Sequence, residues 1–293
     1  MIKDSLNAIA DATRATLRGW RGLLLLSALY FVTYACFYLF FSTGQATAFQ
    51  LAVTGLTALV GPLLLLVLIA ATANFALPER QAAAGVARRS VRDFWKVLLL
   101  AVPVASLGWL FYYLLGKLQE ALPKVVEDAP RVFTNAAGEL RPAPLHWQEA
   151  LMSWLWIILF GVVLPLLASH LWLSAARDGL KATLRRIHRV AARAFAPRAV
   201  LVYTIGFFVF ALLPYFVFYT RTPITSGWGE LFMLGLRLAV AFVLTLLGWT
   251  ITLGALARTT PPESLAHEPA AEAPPPPAAP RAEELPASVV EEV

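Results

Sequence analysis

The amino-acid sequence predicts an all-α integral membrane protein: six transmembrane helices in three hairpins, each hairpin preceded by a cytoplasmic interfacial amphipathic helix, and a disordered C-terminal tail. Three observations predict it: the composition, six apolar runs of spanning length, and a one-sided distribution of Lys and Arg. Hydrophobic residues make up 59% of the 293-residue chain and charged residues only 14%, against about a quarter charged in a typical soluble domain. A chain this apolar belongs in a membrane.

A helix needs roughly 20 residues to cross the hydrocarbon core. Six runs reach that length, at about 23–41, 51–73, 97–115, 151–175, 199–219 and 231–257, and none contains Asp, Glu or Lys. Transmembrane strands are shorter and alternate in polarity, whereas these runs are continuously apolar, so helices are the form that satisfies their backbone. The first run is also longer than the apolar part of a signal peptide, and the 22 residues before it are long for a signal n-region, so it is read as a retained span. The single cysteine, Cys36, lies inside that span and has no second cysteine to pair with.

Orientation follows from the loops. Seventeen Lys and Arg fall in 1–22, 74–96, 176–198 and just after the last run, and only five in 42–50, 117–150 and 220–230. Positive residues are retained on the cytoplasmic side. Both termini are therefore expected in the cytoplasm, with the chain in a bacterial inner membrane.

The basic segments share a pattern: Arg, three residues, Arg, one residue, aromatic. It occurs as Arg14, Arg18, Trp20, as Arg88, Arg92, Phe94, and as Arg189, Arg193, Phe195, each time just before an outward-going run. Arginines at i and i+4 share a helix face and can reach lipid phosphates while the opposite face, marked in the first segment by Ile9, Ala12 and Leu17, dips into the acyl boundary. The nine residues of the pattern are the expected lipid-binding or interfacial positions. Pro62 and Pro165 add a second correspondence, at similar depths of the second and fourth runs. Together they suggest a repeat, with units 1–74, 75–176 and 177–258 forming one membrane domain. Topology and interface anchoring could impose the same pattern on unrelated helices.

Three-fold repetition of two-helix units is also a property of mitochondrial carriers, but their Pro, any, acidic, two residues, basic signature is missing: Pro103 is followed by Val104, Ala105 and Ser106. The arrangement of Arg14, Arg18, Trp20 and their counterparts over residues 1–258 instead resembles, in pattern only, small bacterial six-helix proteins such as the membrane domain attached to some glycerophosphodiester phosphodiesterases. No extramembrane phosphodiesterase domain accompanies it here, so the resemblance implies a membrane fold and no activity.

Chemistry-bearing residues are sparse. Arg237 lies six residues into the last run, about 9 Å along its axis, where it is either a snorkelling arginine or a contact for an anionic ligand or neighbouring subunit. His170 stands near the inner end of the fourth run and is read as capped by a carbonyl or serine, with ligand contact as the alternative. The runs hold no carboxylate for a proton relay. His146, His170, His188 and His267 are dispersed, with no zinc spacing, no glycine-rich phosphate loop and no nucleophile turn. No enzyme, metal site or cofactor is expected. Prolines 62, 103, 165 and 214 interrupt four runs, as in some transporters, though packed membrane helices also tolerate proline.

The stretch KATLRRIHRVAARAFAPR, 181–198, is basic, but its place beside an anionic leaflet favours lipid over nucleic acid. The outer loop 117–150 has four prolines, a turn-like TNAAGE and a net charge of −1. It is read as a docking surface or a self-packed cap. Residues 259–293 carry seven Glu against one Arg and are rich in Pro and Ala, the composition of a disordered acidic tail, while 1–258 carries +12. The expected function is a non-enzymatic accessory or scaffold subunit of a larger membrane assembly, in contact with anionic lipid and other subunits; the alternative is a small-solute or lipid transporter or channel.

Overall fold

A computed structural model describes residues 1–44, 47–77, 83–122, 132–134, 140–142, 147–220 and 226–259, with only the backbone course given for 132–134 and 140–142. The expected acidic tail therefore lies outside the described residues except for Thr259, as does much of the 117–150 loop. The helices are α1 (Ile2–Arg18), α2 (Trp20–Ser42), α3 (Ala48–Ala76), α4 (Ala83–Ala121), α5 (Trp147–Asp178), α6 (Leu180–Arg185), α7 (Ile187–Ala194), α8 (Pro197–Tyr219) and α9 (Gly227–Thr259). Six of them, α2, α3, α4, α5, α8 and α9, are long and apolar enough to cross a membrane. That is the make-up of a multi-pass membrane protein.

The boundaries have local causes. Thr47 and Gln50 form a reciprocal capping box that starts α3. Pro197 occupies the first position of α8, where its missing N–H costs nothing. Gly179 ends α5 at φ 87°, a left-handed conformation that favours glycine. Within α5 and α8, residues Ile157–Val163 and Phe208–Leu212 widen into π-helical turns, each ending two residues before a proline, Pro165 or Pro214. Proline supplies no N–H to the preceding turn and its ring pushes on the carbonyl four residues back, so the ladder shifts register there. In the 117–150 loop, β1 (Val132–Thr134) and β2 (Leu140–Pro142) pair antiparallel, with Phe133 opposite Arg141.

The three basic segments differ from one another. The first is a separate helix, α1, set off from α2 at Gly19. The second is not separate: residues 83–96 run straight into the third span as one 39-residue helix. No proline or non-helical glycine interrupts Ala83–Lys96, so nothing stops helix propagation, and among the described residues the expected interfacial helix before the second hairpin is not a separate element. The third breaks into α6 and α7, between Gly179 and Pro197.

Packing is concentrated at the end of the bundle where α1 lies, here termed the basic end. There α3 packs on α2, α4, α5 and α9, and α9 packs on α1 and α8. The buried residues lie in the same layer: Ala70–Leu77 of α3, Leu166–Ala175 of α5, Ala199–Tyr203 of α8 and Leu253–Ala257 of α9. Small residues dominate it, because between membrane helices close backbone approach and dispersion replace the hydrophobic drive. The seam of α1 is itself small, with Ser5, Ala8, Ala12 and Thr16 buried against α9 and α8. Ala12 is completely buried, whereas Leu17, expected to share an apolar face with it, is exposed. At the other end of the bundle large side chains point outward, including Phe41, Phe49, Trp109, Trp154, Trp228 and Phe232.

Candidate functional site

The densest polar chemistry inside the described bundle lies at the basic end, between α3, α4 and α5. Asp93 of α4 is turned inward, its side chain 6% exposed, and its Oδ1 accepts from Lys96 Nζ at 2.9 Å. Arg92 Nε stands 3.4 Å from the same oxygen but remains three-quarters exposed. Lys96 is therefore the committed partner, held one helical turn away on the same face. Facing the pair, Asn74 of α3 is fully buried; its Nδ2 donates to the Ala70 carbonyl at 3.0 Å. Asn74 Oδ1 and the Trp172 Nε1 of α5 have no hydrogen-bond partner among the described residues.

Asn74, Asp93, Lys96 and Trp172 line one cavity with Ala70, Ala73, Val97, Ala175 and Ala176. Its volume is about 10 Å³, room for about one water. A water there would donate to Asn74 Oδ1 and accept from Trp172 Nε1. An organic substrate does not fit in that volume. Among the described residues no group of three or more His, Cys, Asp or Glu is arranged to hold a metal ion.

A second feature adjoins this knot on the outer side of α4. Gly85, Arg88, Arg89 and Arg92 line a cleft. Arg88 and Arg89 make no hydrogen bond or ion pair with any described residue, while several arginines at the same end are engaged. Arg14 pairs with Asp11 at 3.2 Å. Arg177 donates to the Ala257 carbonyl at 2.7 Å, one that the C-terminus of α9 leaves without an intrahelical donor, and Arg258 donates to the Gly254 carbonyl one turn back at 2.8 Å. Arg198 reaches the Asp4 carbonyl at 3.4 Å. Arg189 and Arg193 also have partners.

The expected interfacial residues all lie at the basic end, on separate elements. Arg14 and Arg18 are exposed on α1, and Trp20 opens α2 with the Arg21 guanidinium 5.4 Å over its ring. Arg88 and Arg92 are exposed on α4, Phe94 is half-buried, Arg189 is exposed on α7, Arg193 is half-buried and Phe195 follows it, exposed. Arg237 is half-buried on α9 and engaged. His170 is buried on α5, its Nδ1 3.0 Å from the Leu166 carbonyl of its own helix, and its Nε2 has no partner among the described residues. His170 lies in the packed layer, whereas Arg237 lies in the other half of the bundle, so the two do not form one site.

Asp93, Lys96, Asn74 and Trp172 were not among the expected site residues. The apolar runs contain no carboxylate, but Asp93 sits four residues before the third run and is buried all the same, because α4 starts about four turns earlier than the run does. A signal was present: Asp93 is the one acidic residue in the basic stretch 83–96, three residues before a lysine. Compared with known proteins, the chain matches no family model, no curated protein and no solved structure.

Proposed function

We propose that this protein is a non-enzymatic accessory or scaffold subunit of a larger membrane assembly, resident in a bacterial inner membrane with both termini in the cytoplasm and its basic end on anionic lipid. The observation that carries this reading is the uneven distribution of packing. The basic end is closed by small residues and inter-helix hydrogen bonds, while the opposite half turns aromatic side chains outward from α2, α3, α4, α5 and α9. Such faces have lipid or another membrane protein as their neighbour, and aromatic residues are the usual anchors of protein interfaces. The polar cavity fits the same reading. It is too small for a transported solute and lies away from Pro62 and Pro103, where a transporter would be expected to open. The first and third basic segments act as interfacial helices and the second as an extension of its span.

The test is gentle extraction of the native protein together with its surrounding lipid, followed by mass spectrometry of everything that co-purifies in fixed stoichiometry. A constant protein partner is the expected result. A protein that emerges alone carrying a specific solute would replace this reading with the transporter one, and Arg237 would be the first residue to substitute.

A further inference from the structure

We infer that the α4 cleft lined by Arg88, Arg89 and Arg92 is a binding site for two closely spaced, negatively charged phosphate groups, either in a lipid headgroup such as diphosphatidylglycerol or in a soluble pyrophosphate-like anion. The inference rests on the proposal that the basic end contacts anionic lipid, and names the headgroup and the residues that select it.

Three observations converge on it. First, the guanidinium groups of Arg88 and Arg89 have no described partner, while those of Arg14, Arg177, Arg198 and Arg258 are engaged with carboxylate or carbonyl oxygens. Second, the one described carboxylate beside the cleft is withdrawn from it. Asp93 is buried and accepts from Lys96 at 2.9 Å, which leaves Arg92 a longer and exposed contact of 3.4 Å. The lining side chains therefore present close to three positive charges, more than a single phosphodiester neutralises. Third, Gly85 lies in the first turn of α4, where N–H groups without intrahelical acceptors add partial positive charge. Guanidinium forks bind phosphate oxygens in bidentate fashion, and i, i+4 spacing lets Arg88 and Arg92 grip one phosphate while Arg89 takes a second.

The test uses the full chain reconstituted in phosphatidylcholine vesicles doped with either diphosphatidylglycerol or phosphatidylglycerol at equal total charge, with retained lipid counted by native mass spectrometry. Inorganic pyrophosphate is titrated separately by calorimetry. The expected result is preferential retention of the two-phosphate lipid or measurable pyrophosphate binding; lipid retention without pyrophosphate binding identifies the source as lipid, and the reverse identifies a soluble anion. Affinity should fall about fivefold for each arginine replaced by glutamine, and on the order of 100-fold in the triple variant. Lys117→Gln, at the other end of the bundle, should leave it unchanged. Equal retention of both lipids with no pyrophosphate binding would overturn the site, as would a triple variant that binds like the parent chain. Neither outcome touches the scaffold reading, which stands or falls on the co-purified protein.

Discussion

Tyr203 of α8 donates its hydroxyl to the Gly161 carbonyl of α5 at 3.0 Å, four residues before Pro165, and so supplies the donor that position 165 would give in a regular helix. The sequence thus accounts for both sides of the contact: Pro165 removes an N–H, and a tyrosine from the neighbouring helix replaces it. Without that donor the carbonyl would be left in an apolar environment, which is costly in a membrane interior.

Tyr203→Phe should therefore lower the unfolding free energy in mixed micelles by about 1 kcal/mol. In a Pro165→Ala background the same substitution should be nearly neutral, since the alanine returns an N–H to the ladder. Equal losses in both backgrounds would mean that the tyrosine contributes packing alone.

Gly206→Ala should prise α8 from α9. A Cβ at residue 206 would overlap Thr252 Oγ1 and lie 2.6 Å from its Cγ2, and Thr252 is buried and bonded to the Gly248 carbonyl. Overpacking of this kind costs about 1–3 kcal/mol. Gly55→Ala and Gly235→Ala meet nothing within 4 Å and should be neutral or stabilising by up to about 1 kcal/mol. Denaturant titration of the three variants side by side would separate contact from propensity.

Lys96→Met should be the most damaging single change at the polar knot, because it leaves the inward-facing Asp93 carboxylate without its 2.9 Å partner. A loss of about 3 kcal/mol is expected. Lys96→Met combined with Asp93→Asn should recover much of it. A double-mutant cycle that shows no coupling between residues 93 and 96 would contradict the pairing.

Ala12→Leu should release α1. Ala12 Cβ lies 3.3 Å from where a Cβ on Gly254 would be, so the seam has no space for a larger side chain. Limited proteolysis should then cut within Ile2–Arg18 faster than in the parent chain, whereas Leu17→Ala, on the exposed side of α1, should leave the cleavage rate unchanged.

Six apolar helices were legible in the sequence because a span is specified by length and hydropathy alone, and the described helices contain all six runs. Two things were not legible. Helix ends misread where charged residues continue a helix, as at Ala83–Lys96: hydropathy falls there although nothing breaks the backbone. The packing seams were hidden for a different reason. Ser5, Ala8, Ala12 and Thr16 carry little hydropathy signal, and a search for large apolar residues selects Ile9 and Leu17 instead; in this fold small residues mark the contacts. Of the candidate site, Arg88 and Arg92 were picked out by spacing. The burial of Asp93 was not, since it depends on Asn74 and Trp172, which come from two other helices.

The seat of α1 on α9 fixes an order of events during biosynthesis. Ala12 emerges from the ribosome about 240 residues before Gly254, its neighbour in the folded bundle, an interval of roughly ten to fifty seconds at ordinary elongation rates. For that time the N-terminal helix lacks its main seat, with only α2 and later α8 to touch, and its exposed arginines and leucines must keep it on the membrane. The seam of α1 is filled only when α9 arrives, so a chain lacking α9 would retain its other described spans yet display an N-terminal helix without its main seat.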